Sequence, residues 1–181
     1  MSLPGGQPSL DARLRTMRII TIAIINGAVI FLAIAVFLQA RGNMGLPRNP
    51  PIISYFALVV AGIDVLIYWF APDAMAARAR RQIARGTWMP DPRRPEAAAN
   101  MTDDQKLLAV YQTRLIVGLA LLEGATFLLL IGYLTEDYTP ALAIAVVFII
   151  GMLMQFPTRI GVERWVEEQQ QLLQEERQRS G

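Results

Sequence analysis

The chain contains no cysteine and no histidine among its 181 residues. Their absence excludes disulfide bonds, zinc sites built on these residues, haem held by His or Cys, and nucleophilic machinery of the Cys–His or Ser–His kind. Most enzyme classes are excluded with them, and no other pattern indicates a metal or cofactor. We therefore predict a non-enzymatic protein with no cofactor, no bound metal and no nucleic-acid partner.

Charged residues are also few, at 18% of the chain, whereas 54% of the residues are hydrophobic. The apolar residues fall into four long blocks, which is typical of a polytopic membrane protein. We predict an all-α membrane protein, with a disordered tail over residues 1–12 and a single four-helix membrane domain over residues 13–181. Its predicted transmembrane helices are residues 19–39, 52–71, 115–134 and 141–156.

The connections between these spans contain basic and amphipathic segments. Pro72 is predicted to end the second span, and Asp73 to cap a short helix that Gly86 stops. Three arginines of that helix share one face, which predicts either a helix lying on anionic lipid head groups or a solvated helix packed on the bundle. These lipid-surface residues are Arg78, Arg81 and Arg85.

Two more amphipathic segments flank the second half of the chain. Thr102 and Gln105 predict a helix start within the cytoplasmic connector, residues 72–114. The tail over residues 158–179 is charged, with apolar side chains roughly on one side, so it is expected to lie at the interface or pack on its own chain, or else to pair with another helix. Those side chains are Val162, Trp165, Val166, Leu172 and Leu173.

Basic residues predict the orientation. Fifteen of the seventeen lie in the N-terminal flank, the connector or the C-terminal tail, and only Arg41 and Arg48 lie in the first turn. Because positive residues concentrate on the cytoplasmic side, we predict a multi-pass protein of the inner (cytoplasmic) membrane with both termini cytoplasmic. Its predicted partners are the lipid bilayer, including anionic head groups, and a second copy or another membrane subunit.

Three polar residues interrupt the predicted spans. Glu123 lies near the middle of the third span, Asp64 near the middle of the second and Asn26 within the first. A charge at the bilayer centre costs roughly 2.5–3.5 kcal/mol on insertion scales, so such residues usually have a function. Sliding the chain by 97 residues aligns the first span with the third and Asn26 with Glu123, which suggests two tandem hairpins in the same orientation.

These polar residues support two hypotheses. Protonated carboxyls and an amide can hydrogen-bond neighbouring helices and specify how they pack, in a structural or accessory membrane subunit. Alternatively, Glu123, Asp64 and Asn26 form an ion-binding site, because two carboxylates close together in low dielectric share a proton or a cation. A third hypothesis is a membrane-surface recruiter that uses the basic and amphipathic helices.

A local resemblance bears on the second hypothesis. The segment Arg94-Pro95-Glu96-Ala97-Ala98, followed by residues 113–125, resembles the proteolipid c subunit of rotary ATP synthases. In that family a polar loop precedes a helix whose mid-membrane carboxylate carries H⁺ or Na⁺. The resemblance covers about thirty residues and implies that Glu123 is the ion-binding carboxylate.

Overall fold

The computed structural model describes residues 10–42, 50–89 and 101–180, and these ranges contain helices and turns but no strand. The helices are α1 (Leu10–Ala40), α2 (Ile52–Ala84), α3 (Asp103–Glu136), α4 (Thr139–Met154) and α5 (Arg159–Ser180). The predicted all-α class is confirmed. Of the predicted disordered tail, residues 1–9 lie outside the described ranges, whereas residues 10–12 belong to α1.

Three helices, α1, α2 and α3, are long and apolar enough to cross a membrane. A fourth span exists if α4 and α5, which meet at an angle of 75°, together count as one broken span. The 16 residues of α4 reach roughly 24 Å at 1.5 Å per residue, less than the ~30 Å of a hydrocarbon core. The apolar helices therefore indicate a membrane-embedded protein with three or four spans.

The central element is α3, which contacts all four other helices. Half of its most apolar stretch is buried, against 17% in the corresponding stretches of α1 and α2. Helices α1 and α2 flank α3 and have almost no contact with each other. Large apolar side chains on their outer faces are consequently left exposed, as expected where lipid rather than protein covers a helix.

The prediction that Pro72 ends the second span is wrong, because α2 continues through it to Ala84. Proline removes one backbone hydrogen bond, but an internal proline is tolerated when neighbouring helices hold both halves of the helix. Here Ala76, Ala79 and Ile83 continue the buried face beyond Pro72. Asp73 therefore lies inside α2 rather than at a cap, whereas the predicted stop is present, with Gly86 at φ 69°.

The second proline behaves differently. Helix α4 ends at Met154, before Pro157, and α5 starts after a sharp bend. The Thr158 hydroxyl accepts a hydrogen bond from the Gly161 N–H at 3.2 Å, which supports a new helix start. The two predicted hairpins therefore end differently. In the first, α2 continues beyond its apolar span as one helix, whereas in the second a sharp bend separates α4 from α5.

Beyond the apolar region, three helical segments pack into a bundle that we call the collar: residues 72–84 of α2, 103–114 of α3, and α5. Ile83, Leu107 and Leu173 form its apolar centre. Polar contacts surround that centre, including Arg80 with Glu176 at 3.6 Å and Arg177 with Asp103 at 2.7 Å. The tail therefore packs on its own chain, with Val162 and Leu173 facing inward and Leu172 remaining exposed.

The start of α3 follows the sequence signal. The Thr102 hydroxyl accepts from the Gln105 N–H at 3.4 Å, and the Gln105 side chain accepts from the Thr102 N–H at 3.0 Å. This reciprocal capping box satisfies two of the N–H groups that a helix start leaves without partners. The predicted helix start is confirmed.

Candidate functional site: polar residues along the helix seams

The seam between α2 and α3 is built from small residues. On α2, Ser54, Ala57 and Ala61 are buried. On α3, a Cβ placed on Gly132 would lie 3.1 Å from the Ser54 Cα, and one on Gly118 would lie 3.2 Å from the Tyr68 ring. Small residues let helix backbones approach closely where lipid offers no hydrophobic driving force between them.

These two contacts set the antiparallel register of α2 and α3. They place residue 64 level with residue 122, so Asp64 and Glu123 lie at similar depth, as predicted. Asp64 is partly buried. Glu123 follows residue 122 and therefore points to a different side of α3. Its Oε1 lies 3.4 Å from the position that a Cβ on Gly27 would occupy. Glu123 therefore lies along the seam between α1 and α3.

Asn26 lies next to Gly27 on α1, and its side chain is exposed. Among the residues that the structure describes, Asn26, Asp64 and Glu123 form no hydrogen bond or ion pair with one another or with any other group. The three side chains share a level of the bundle but lie on different faces: Glu123 lies at the α1–α3 seam, Asp64 lies on α2, and Asn26 is exposed on α1. Helix rotation separates them, since α1 and α2 flank α3 instead of touching.

A residue that sequence reasoning missed forms the best-satisfied polar site of the bundle. Glu136 is only 3% exposed, and its carboxylate accepts hydrogen bonds from the Ile53 N–H at 2.9 Å and the Ser54 N–H at 2.8 Å. These N–H groups begin α2, where the helix dipole also favours a negative charge. The only local signal was an acidic residue in a turn without basic residues.

The lipid-surface arginines take an unexpected arrangement. Arg78, Arg81 and Arg85 are exposed on one side of α2, opposite the collar's apolar centre, and make no ion pair with the described residues. Arg78 and Arg81 lie in the part of α2 beyond Pro72 and Arg85 follows its last residue, so the three form a ladder about 10 Å long at 1.5 Å per residue. Because α2 is one continuous helix, the ladder belongs to the same helix as the second apolar span and not to a separate helix.

No three acidic side chains in the described ranges are grouped so that they could hold a metal ion. Comparisons of the chain with models of protein families, with curated proteins and with solved structures found no match. Function must be inferred from this chain's own residues. The polar loop of the c-subunit resemblance, Arg94 to Ala98, lies outside the described residues.

Proposed function

We propose that this protein is a non-enzymatic structural or accessory membrane subunit that self-associates through α1. The observation that carries the proposal is Asn26, an amide on the outer face of a membrane-spanning helix, exposed and without a hydrogen-bond partner in the described part of the chain. An amide in hydrocarbon is costly when it is unpaired. An asparagine carries both donor and acceptor, so it can pair with the same residue of a second copy about a two-fold axis.

The surroundings of Asn26 support this role. Ile22, Val29 and Ile30 lie on the same side of α1 and are 55%, 41% and 51% exposed. They would supply apolar packing around a central amide pair, and interhelical polar contacts in membranes contribute about 1–2 kcal/mol. The four-span arrangement, with α4 as a short fourth span and the collar cytoplasmic, belongs to this proposal and agrees with the positive-inside distribution of basic residues.

Cysteine cross-linking tests the association, since the native chain has no cysteine. In lipid vesicles, Ile22→Cys is expected to form disulfide-linked dimers on oxidation. Ile63→Cys, equally exposed but on α2, is the matched control and should not. Adding Asn26→Leu to the Ile22→Cys protein should weaken dimerisation by about 1–2 kcal/mol, measured as cross-linked fraction against protein-to-lipid ratio.

Equal cross-linking at both cysteines would indicate random collision and would contradict the proposal. An unchanged dimer fraction after Asn26→Leu would show that the amide has no part in association.

Ion handling by Glu123 is the second candidate function. It is supported by a partly exposed carboxylate in a membrane-spanning helix that no described residue pairs, and by the c-subunit resemblance. A hydrophobic carbodiimide, which attacks protonated carboxyls in lipid, is expected to modify Glu123 saturably in wild type and not in Glu123→Gln. Loss of labelling as pH rises, or protection by Na⁺, would favour an ion site, whereas absence of labelling at every pH would leave only the packing role.

A further inference from the structure

A cavity of about 410 Å³ lies where the apolar spans meet the collar. It opens between α2, α3, the α4–α5 bend and α5. Beside it, Trp69 and Phe70 at the end of the apolar part of α2 are each 72% exposed. The polar and aromatic residues of its wall are Tyr68, Trp69, Tyr111, Arg114, Gln155 and Trp165.

Every polar side chain of this wall belongs to a residue that can donate a hydrogen bond. They are two tyrosines, two tryptophans, one glutamine and one arginine, and no Asp or Glu lines the cavity. Indole and guanidinium groups can only donate. The Gln155 Nε2 is buried and has no acceptor among the described residues. The wall therefore suits a ligand that is anionic and rich in acceptor oxygens.

The charge in the cavity is held in position by its neighbours. The Arg114 guanidinium lies 5.9 Å from the centre of the Trp165 ring, a cation–π distance, and Trp165 packs against Tyr111 edge to face at 5.2 Å. The nearest acid, Asp73, is 3.5 Å away and 80% exposed at the rim. Arg114 makes no hydrogen bond with the described residues, so its N–H groups are available to a ligand.

From this geometry we infer that the cavity binds the phosphate group of an anionic phospholipid, with Arg114 as the main phosphate contact. A guanidinium presents a fork of donors that matches phosphate oxygens. Free phosphate shares this chemistry, but the cavity adjoins the exposed aromatic end of a membrane span, where a lipid head group would lie with its acyl chains along α2. The site is separate from the α1 surface proposed for self-association.

Binding to the full-length protein in detergent micelles tests the inference. Phosphatidylglycerol, phosphatidylcholine and sodium phosphate are titrated separately, and fluorescence is followed, since two of the three tryptophans line the cavity. We expect saturable binding of phosphatidylglycerol, weakened about tenfold or more in Arg114→Gln. Asp73→Asn, which removes the competing carboxylate, should tighten binding. Arg41→Gln, an exposed arginine at the opposite end of the molecule from the collar, should leave it unchanged.

Three results would overturn the inference: equal phosphatidylglycerol affinity in wild type and Arg114→Gln, an equal loss in Arg41→Gln, or displacement of the lipid by sodium phosphate at matched concentration. Helical content by circular dichroism confirms that each variant is folded. If Arg114→Gln does not fold, Asp73→Asn decides the question, because binding that is unchanged or weaker in that variant contradicts competition for Arg114.

Discussion

At the scale of single residues, the polar groups of the bundle divide by whether the chain itself satisfies them. Glu136 is buried and bonded to two backbone N–H groups at the start of α2, so its charge serves the fold. Asn26, Asp64 and Glu123 have no such partners within the described residues. Polar groups in a membrane segment that no described residue pairs are free to bind another chain or an ion, so the proposals of self-association and of ion handling rest on them.

Replacing Glu136 by alanine is expected to destabilise the protein strongly. The Ser54 N–H would lose its acceptor in a buried place, at a cost of about 1–3 kcal/mol, and the partly buried Ile53 N–H would lose its acceptor at a smaller cost. Glu136→Gln keeps one acceptor oxygen but not the charge, so its loss should be smaller. The midpoint of unfolding in mixed detergent micelles measures both.

Glu175→Ala is the matched control, since Glu175 is exposed on α5 and makes no ion pair with the described residues. An equal effect of Glu136→Ala and Glu175→Ala would contradict a capping role.

At the scale of helices, the α2–α3 pair depends on close backbone approach at Gly132. A Cβ there would meet the Ser54 Oγ at 3.0 Å and the Ser54 Cα at 3.1 Å. A backbone atom cannot move aside as a flexible side chain can. The same contact region brings Glu136, one turn along α3, to the first N–H groups of α2. Packing and capping at this end are therefore coupled.

Gly132→Ala is expected to destabilise the protein by about 1–3 kcal/mol, because the added methyl group overpacks the seam. The same substitution at Gly124 is the control: it lies on the same helix, and nothing stands within 4 Å of its Cβ position. Gly124→Ala should be neutral, or stabilising by up to about 1 kcal/mol through helix propensity. If the two variants have the same unfolding midpoint, the close approach at Gly132 does not contribute to stability.

At the scale of the whole molecule, the bundle is asymmetric. One end is the collar, rich in ion pairs, and the other holds the short turn between α3 and α4. Within the collar, α5 packs on α2 and α3, so the end of α2 and α5 lie at the same end of the molecule. This arrangement predicts that both face one side of the membrane.

Cysteine accessibility in intact cells tests this orientation. Thr87→Cys after α2 and Gln171→Cys on α5 are exposed positions at the collar end, whereas Arg41→Cys lies beyond the other end of α1. If the collar is cytoplasmic, a membrane-impermeant maleimide should label only Arg41→Cys, and permeabilisation should expose the other two. Labelling of Gln171→Cys together with Arg41→Cys, before permeabilisation, would contradict the proposed topology.

Local signals in the sequence predicted much of the fold. Long apolar blocks identified the membrane class, Thr102 and Gln105 identified the start of α3, and Gly86 identified the end of α2. Each of these depends on composition or on spacings of a few residues, which a sequence shows directly.

Contacts between distant segments decided the rest. Helix α2 continues through Pro72 because the collar packs against its second half, whereas α4 ends before Pro157. A proline in the sequence therefore does not by itself decide where a helix ends. Asp64 and Glu123 lie at the same depth because each is near the middle of its apolar helix, which the sequence shows. They lie on different faces because packing decides how each helix is rotated about its own axis. Glu136 finds its partners more than eighty residues earlier in the chain. The sequence alone determined which segments are apolar helices; only the tertiary structure decided which polar groups meet, since that depends on how the helices rotate and pack together.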